Sequence, residues 1–312
     1  MDNPYLKMVA AYARAMREGR CSTLGGFADV PRPAKAPDAP KALLFSPHPD
    51  DECITGALPL RLLCETEMRV INVAVTQGSR KDRQAGRWTE LTHACRYLGF
   101  ELMESVPNGL ESVSPKGRAA NPAAWAKAVK TIAAILHRER PAVVFFPHER
   151  DWNGTHIGTH LLVTEAMRSL GPAFSTLVVE TEFWAAMETP NLMVESGEPD
   201  VADLVTALSF HVEEVRRNPY HLTLPAWMQD NVRRGGELVG GQGGAAPDFI
   251  FATLYRLRQW ADGGWKNVLE KGRQIGKDAV ADVRALEGPR VQGSAFAKKA
   301  TADTSGFRPE PM

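Results

Sequence analysis

The chain is poor in cysteine, has no excess of either charge and contains no long apolar run. Its 312 residues include four cysteines whose spacing fits no paired metal site, namely Cys21, Cys53, Cys64 and Cys95. We expect them to be reduced, mostly buried thiols. The 37 basic and 37 acidic residues balance, so there is no electrostatic case for nucleic acid or an anionic membrane as a partner. No run of about 18 apolar residues occurs, so no membrane-spanning helix is predicted.

Several common active-site motifs are also missing. No Gly-x-Ser-x-Gly sequence occurs, which disfavours a serine hydrolase. There is no P-loop, and no Gly-x-Gly-x-x-Gly sequence follows the first predicted strand, so nucleotide cofactors are not expected. Residues 1–20 are amphipathic and interrupted by charges, unlike a signal peptide. We therefore expect a cytoplasmic protein.

Apolar strand-like segments alternate with helical patterns through the first two thirds of the chain. This order predicts an α/β fold, a Rossmann-like and mostly parallel sheet flanked by helices. Predicted strands are 41–46, 69–76, 100–103, 142–147 and 176–184, and predicted helices are 4–19, 53–66, 87–98, 122–138 and 157–170. We divide the chain into an N-terminal helix and extended linker (1–40), a single domain (41–287) and a tail expected to be disordered (288–312).

Five features are harder to interpret. Pro59 predicts either a kink or a late start of the helix at 53–66. Residues 199–217 read as a helix, and 249–260 as a helix or a strand. The glycine-rich residues 235–244 predict a mobile loop, either a lid over the substrate or a passive surface connection. The apolar stripe of the first helix suggests docking on the domain or on a second copy of the chain.

The most informative motif follows the first strand and contains a histidine, two adjacent aspartates and a glutamate, Ser46-Pro-His-Pro-Asp-Asp-Glu52. His48 and Asp51 are three residues apart, so one turn can aim both at a single point while Asp50 points elsewhere. Mixed nitrogen and oxygen ligands suit zinc or another divalent transition metal, and a catalytic zinc typically takes three protein ligands plus water. The alternative is a polar turn in which one Asp caps the following helix.

A second histidine-bearing segment follows the strand at 142–147. In open α/β sheets, ligands bind outside the carboxyl ends of the strands, so two distant loops can meet there. His156 and His160 lie four residues apart at the start of the next predicted helix. Either could complete a metal site with His48 and Asp51, leaving the other to face substrate or solvent.

At this point the chain resembles the PIG-L, or LmbE-like, zinc-dependent de-N-acetylases. The resemblance rests on His48-Pro-Asp-Asp-Glu52, on the segment Asn153-Gly-Thr-His156, and on a Thr-x-Gly turn at 76–78 followed by Arg87-x-x-Glu90. It implies that His48, Asp51 and His156 hold zinc, and that Asp50 is the general base for metal-bound water. It also implies that Arg87 binds the substrate. The expected reaction is removal of an N-acetyl group from an amino sugar or sugar conjugate.

The chain departs from the family where a histidine usually stands three residues before the third ligand. Asn153 occupies that position, and an amide can donate to an oxyanion but carries no titratable proton near neutral pH. Either Asp50 performs both proton transfers, or another histidine, such as His148, His160, His211 or His221, supplies the acid. His211 is a candidate to approach the substrate, and the alternative, which its place in a predicted helix favours slightly, is that it only caps or packs that helix.

The expected partner is a small N-acylated sugar or conjugate. Trp152 interrupts the metal-site loop and could stack on a sugar ring, although tryptophans are more often part of a core. Two alternatives stay open: an amidase acting on a larger sugar or thiol conjugate, and a metal-binding relative without catalysis. Assembly into a homo-oligomer is also open.

Overall fold

Strand β1, Lys41–Ser46, lies inside the sheet and connects both halves of its parallel part. In the computed structural model, which describes residues 3–286, β1 pairs in parallel with β2 (Arg69–Ala74) on one side and with β4 (Val143–Pro147) on the other. Its side chains alternate between two apolar layers. Ala42 and Leu44 face one layer, while Leu43 and Phe45 face the other. Because both faces are covered, the strand is apolar throughout rather than amphipathic.

Within residues 3–286, nine strands form one sheet in the order β3-β2-β1-β4-β5-β7-β6-β9, with β8 paired to β7. The first five are mutually parallel, whereas β7 runs antiparallel to β5, β6 and β8. In chain order, the bounds of β1 to β9 are Lys41–Ser46, Arg69–Ala74, Glu101–Glu104, Val143–Pro147, Thr176–Thr181, Leu192–Glu195, Ala252–Ala261, Gly264–Asn267 and Arg273–Ile275. The predicted α/β class with a mostly parallel sheet is therefore confirmed.

Ten α-helices are present in the described residues. Helices α6 and α7 cover one face of the sheet, and α3, α4, α8 and α10 contribute to the apolar layer on the other. The bounds of α1 to α10 are Leu6–Gly19, Asp51–Ile54, Leu58–Glu65, Gln84–Leu98, Pro115–Ala120, Pro122–Glu139, Gly154–Ser169, Glu198–Ser209, Val212–Arg217 and Tyr220–Leu238. Between residues 3 and 286, no helix combines the length and apolar character needed to cross a bilayer.

The structure differs from the sequence prediction at three helices. The helix predicted at 53–66 is two helices, and Pro59 lies in the first turn of α3, which is the late start that proline tolerates. The helix predicted at 199–217 is broken at His211, whose backbone leaves the helical region. The loop predicted at 235–244 begins too early, because Gly235–Leu238 complete α10.

Two predictions about the termini have different outcomes. The helix predicted at 4–19 is present as α1, but its apolar side chains Leu6, Met8 and Val9 are exposed. The docking role predicted for this face stays a prediction, as does self-association. The predicted tail, 288–312, lies outside the described residues.

Candidate metal centre and active site

The three sequence motifs follow three neighbouring strands, β2, β1 and β4. The chain runs from β1 outward to β2 and β3, then returns to place β4 on the other side of β1. The switch point of the topology therefore lies between β1 and β4, which is where ligands bind in open α/β sheets. His48 follows β1 and His156 begins the helix after β4. The fold thus brings together two segments that are 108 residues apart.

His48, Asp51 and His156 form a compact group of potential metal ligands. Oδ2 of Asp51 lies 3.3 Å from Nδ1 of His48 and 3.3 Å from Nε2 of His156. The two imidazole nitrogens are themselves 3.3 Å apart. Asp51 and His156 are buried, and Asp51 also accepts a hydrogen bond of 2.8 Å from the backbone NH of His48. One carboxylate oxygen and two imidazole nitrogens therefore converge on one point.

The charges around His156 favour a cation at this point. Burial alone would lower the pKa of His156, but Asp51 and Asp151 raise it to about 10. Burial similarly opposes ionisation of Asp51, yet His156 and His48 hold the pKa of that carboxyl far below its usual range. A pocket that stabilises positive charge this strongly, with two nitrogen ligands and one oxygen ligand, fits a divalent transition metal.

Asp151 supports His156 from the opposite edge of the ring. Its Oδ1 lies 3.6 Å from Nδ1 of His156, and the carboxylate accepts backbone hydrogen bonds from Asn153 and Trp184. A carboxylate beside the second nitrogen of a ligating histidine fixes the orientation of the ring and raises its basicity. The position of Asp151 in the same loop, five residues before His156, was a signal that sequence reasoning passed over.

Asp50 lies beside the three ligands in a strained conformation. Its φ is 116°, a region that residues other than glycine rarely adopt, and such strain tends to occur at functional sites. Burial and the charge of Asp51 raise the pKa of Asp50 to about 6, and the hydrogen bond from Tyr220 opposes this rise. A metal cation at the neighbouring ligands would lower the pKa. A carboxylate tuned towards neutrality is suited to accept a proton and to return it.

Glu52 and His211 hold the backbone of Asp50 in place. Nε2 of His211 lies 2.7 Å from Oε1 of Glu52, and both side chains are fully buried. The other oxygen of Glu52 accepts a hydrogen bond of 3.0 Å from the backbone NH of Asp50. Cys53 also donates to Glu52, through its thiol. His211 therefore lies behind the motif, and its predicted contact with substrate stays a prediction.

Arg87 connects the Thr-x-Gly turn to Asp50. Its Nη2 donates to the carbonyl of Pro49 at 2.9 Å and lies 3.8 Å from Oδ2 of Asp50. Gly78 has a φ of +80°, and a Cβ at this position would lie 2.3 Å from Nη1 of Arg87. The glycine of the turn thus provides both the left-handed backbone and the space for the guanidinium. Arg87 therefore lies against both the Thr-x-Gly turn and the His-Pro-Asp-Asp-Glu motif, which are separate in the sequence.

A cavity of about 590 Å³ is lined by Asp50 and by two of the candidate metal ligands, His48 and Asp51, whereas His156 is not among its lining residues. Asn153 lines it, but the side-chain oxygen of Asn153 accepts a hydrogen bond from the backbone NH of Thr155, which caps helix α7. Trp184, 54% exposed, also lines the cavity. Trp152 is 81% exposed and lies outside the residues that line it. A role for Trp152 in substrate binding stays a prediction.

The other histidines lie away from the cavity. Among the described residues that line it, His48 is the only histidine. His160 directs Nδ1 towards the carbonyl of Pro147 at 3.0 Å, and His148 directs Nε2 towards the carbonyl of Ala185 at 2.9 Å. Of the two histidines at the start of α7, His156 is therefore the one that joins His48 and Asp51.

Two contributors to the site were missed from the sequence. Tyr220 begins helix α10 and donates a hydrogen bond to Asp50, but nothing in its sequence context marks it. Phe183 packs edge-on against the ring of His156, with the ring centres 4.8 Å apart. Both contacts bring together distant parts of the chain, so periodicity and motif spacing could not have predicted them.

The chain is similar in sequence and fold to several known proteins. Residues 43–167 match the family model PIG-L, described as GlcNAc-PI de-N-acetylase. The 1D-myo-inositol 2-acetamido-2-deoxy-alpha-D-glucopyranoside deacetylase of Mycobacterium leprae is 26% identical over 172 residues. That alignment covers 47% of this chain and 56% of the relative, so the match spans little more than half the length of the curated protein.

Two solved structures share the fold at low sequence identity. The antimicrobial reagent A40926 pseudoaglycone deacetylase Dbv21 matches with a TM-score of 0.52 and 14% identity, covering 72% of this chain and 99% of that one. GalB, the 4-carboxy-2-hydroxymuconate hydratase of Pseudomonas putida KT2440, matches with a TM-score of 0.53 and 16% identity, covering 70% and 95%. These two proteins are described by different reactions, so the likeness establishes the fold alone. The family model goes further than the fold, because residues 43–167, which contain all three sequence motifs, match the PIG-L family model.

Proposed function

We propose that the protein is a metal-dependent N-deacetylase, most simply a zinc enzyme, that removes an acetyl group from an amino sugar or sugar conjugate. The observation that carries this proposal is the position of Asp50. It lies beside three converging metal ligands, at the base of a cavity large enough for a ligand of drug size. A protein that only bound metal would have no use for a strained carboxylate that lines the cavity and is not itself one of the ligands.

The chain's own residues account for the steps of amide hydrolysis. A divalent cation at His48, Asp51 and His156 would activate a water molecule and polarise the acyl carbonyl. Asp50 accepts a proton from the attacking water as the new C–O bond forms. As the C–N bond breaks, Asp50 passes that proton to the departing nitrogen, giving acetate and a free amine. Because Asn153 cannot titrate and no second histidine lines the cavity among the described residues, Asp50 serves in both transfers.

The test is metal content together with amine release from a panel of N-acetyl sugars. Wild type is compared with Asp50→Asn, which keeps the size of the side chain, and with Asp38→Asn, an exposed control. We expect about one zinc per chain in all three proteins. Asp50→Asn should lose amine release by about 100-fold or more, since general acid–base catalysis contributes about 100- to 10,000-fold, whereas the control should match wild type.

Other outcomes would separate the alternatives. Metal bound without amine release from any acetylated sugar would favour a non-catalytic relative. Amine release only from extended conjugates would favour an amidase for larger substrates. Protein that binds no metal, or an Asp50→Asn variant that is as active as wild type, would refute the proposal.

A further inference from the structure

One wall of the cavity carries more positive charge than its own acidic groups balance. We call it the arginine cluster, and it consists of Arg83, Arg87 and Arg217 around the single carboxylate of Glu214. Nη1 of Arg83 lies 2.9 Å from Oε1 of Glu214, and Nε of Arg87 lies 3.9 Å from the same oxygen. Arg217 binds the other oxygen. All four residues line the cavity.

Glu214 is a buried, ionised carboxylate that holds the three arginines of this cluster together. Its side chain is only 6% exposed. Burial alone would raise the pKa of Glu214, but Arg87, Arg217 and Arg83 hold it below the usual value. Glu214 is therefore ionised at neutral pH and carries one negative charge against three guanidinium groups. The carboxylate positions the arginines without neutralising them.

Neighbouring acidic groups do not neutralise the excess positive charge of the arginine cluster. Arg87 lies 3.8 Å from Asp50, and even if that carboxylate is counted, three cations face two anions. Arg80 is paired with Asp82 and Lys81 with Glu111, so those two cations of the cavity rim are already matched. Among residues 3–286, Nη2 of Arg83 and Nε of Arg87 have no hydrogen-bond partner. The cluster thus has spare donors as well as spare charge.

The cluster is placed to contact a substrate at a distance from the reacting amide. Arg87 reaches Asp50, whereas Arg217, whose side chain is 72% exposed, lies at the far end of the cluster. The cluster therefore extends from the general base towards solvent. Guanidinium groups arranged in this way match the oxygens of phosphate or carboxylate groups, with which arginine forms paired, charge-assisted hydrogen bonds.

We infer that the cavity selects an acylated amino sugar that also carries an oxyanion, bound by Arg83 and Arg217 with Glu214 as the organising carboxylate. This inference rests on the proposed function for the identity of the sugar and deepens it by naming the substrate class. A purely structural role, in which the cluster only joins the start of α4 to α9, makes a different prediction. In that case the variants would change thermal stability but not the preference among ligands.

The test measures binding to the zinc-loaded protein by calorimetry, with Asp50→Asn introduced into every protein compared so that no ligand is hydrolysed during the titration. The ligands are N-acetylglucosamine, its 1-phosphate and 6-phosphate, and N-acetylmuramic acid, whose charge is a carboxylate. Inorganic phosphate serves as a probe that does not depend on where the anion is attached. The proteins are wild type, Arg83→Gln, Arg217→Gln and the control Arg96→Gln, which removes an exposed arginine of α4 that is paired with Asp29.

We expect wild type to bind at least one anionic sugar about tenfold or more tightly than N-acetylglucosamine, as hydrogen bonds to charged groups permit. The preference should weaken with added salt. Arg83→Gln and Arg217→Gln should each reduce it severalfold and weaken the binding of inorganic phosphate, whereas Arg96→Gln should change neither. Comparison of phosphate with carboxylate sugars then identifies the anion.

The outcomes separate this inference from the proposed function because binding is measured without turnover. Anion preference without amine release would support the inference and refute the deacetylase. Amine release with no anion preference, or a preference that survives both arginine variants, would overturn the inference and leave the deacetylase intact.

Discussion

The hydroxyl of Tyr220 donates a hydrogen bond of 2.5 Å to Oδ2 of Asp50, although the two residues are 170 positions apart in the sequence. Burial and the charge of Asp50 raise the pKa of Tyr220 well above its usual value, so the phenol stays protonated and acts as the donor. The first residue of helix α10 therefore orients the proposed general base.

Replacing Tyr220 with phenylalanine should lower kcat/KM for amine release by about tenfold. A hydrogen bond to a charged group contributes about 1.5–3 kcal/mol, and its loss frees Asp50 to rotate away from the attacking water. Metal content should not change, because Tyr220 contacts Asp50 and none of the three ligands. Steady-state kinetics and metal analysis together check this prediction.

Tyr12→Phe is the matched control, since its hydroxyl accepts a hydrogen bond from Gln229 at the surface. Equal kcat/KM for Tyr220→Phe and wild type would show that Tyr220 does not orient the base.

Asp151→Asn should weaken metal binding by about 10–100-fold while leaving all three ligands in place. The variant keeps the size of the side chain but removes the negative charge 3.6 Å from Nδ1 of His156, and partners of this kind typically have effects of that size. Competition with a chelator measures the dissociation constant. Asp29→Asn, an exposed residue, controls for the loss of one charge, and an unchanged constant in Asp151→Asn would argue against the supporting role.

Gly78→Ala should reduce activity more than its effect on stability explains. The substitution forces alanine into a positive φ, at a cost of about 1–2 kcal/mol, and pushes Arg87 away from Asp50 and Pro49. Gly263→Ala is a close control, because its φ of +74° is similar but no atom lies within 4 Å of the added Cβ. The two variants should lose similar thermal stability, and only Gly78→Ala should lose amine release. Equal activity in both would contradict the contact between the turn and Arg87.

Glu149 should contribute to stability only above acidic pH. Burial alone would raise its pKa, but the hydrogen bond from Arg256 lowers it to about 2 from an ordinary value of 4.5. Because the folded-state pKa is depressed, the contribution is complete above about pH 4.5 and disappears as the pH falls towards 2. Glu149→Gln should therefore be less stable than wild type at pH 7, and the difference should close as the pH approaches 2.

Urea unfolding across this pH range measures the difference. Glu188→Gln removes a carboxylate from an exposed pair with Arg150, and such pairs contribute little, so its stability should stay close to that of wild type. A gap between Glu149→Gln and wild type that stays constant down to pH 2 would contradict the assignment to Arg256.

Much of the parallel sheet could be predicted from sequence because each strand is marked by a short apolar run. The apolar runs at 41–46 and 142–147 are buried on both faces and appear as β1 and β4. Predictions failed where tertiary contacts override local pattern. His211 leaves the helical conformation where it meets Glu52, and Gly235 and Gly236 stay in α10 because they are buried against Met193 and Ala246. Composition had indicated a loop there.

The α/β class and the motif residues His48, Asp50 and Asp51 could be identified from the amino-acid sequence, because spacing within one turn limits what a short segment can reach. The fold was needed to show that His156 rather than His160 joins them, that Tyr220 holds Asp50, and that Arg83 and Arg217 meet at Glu214. These partners come from segments whose order in the sheet and packing on its faces set their distances. Such distances cannot be predicted from a local sequence pattern, since they depend on how the whole chain folds around the switch point between β1 and β4.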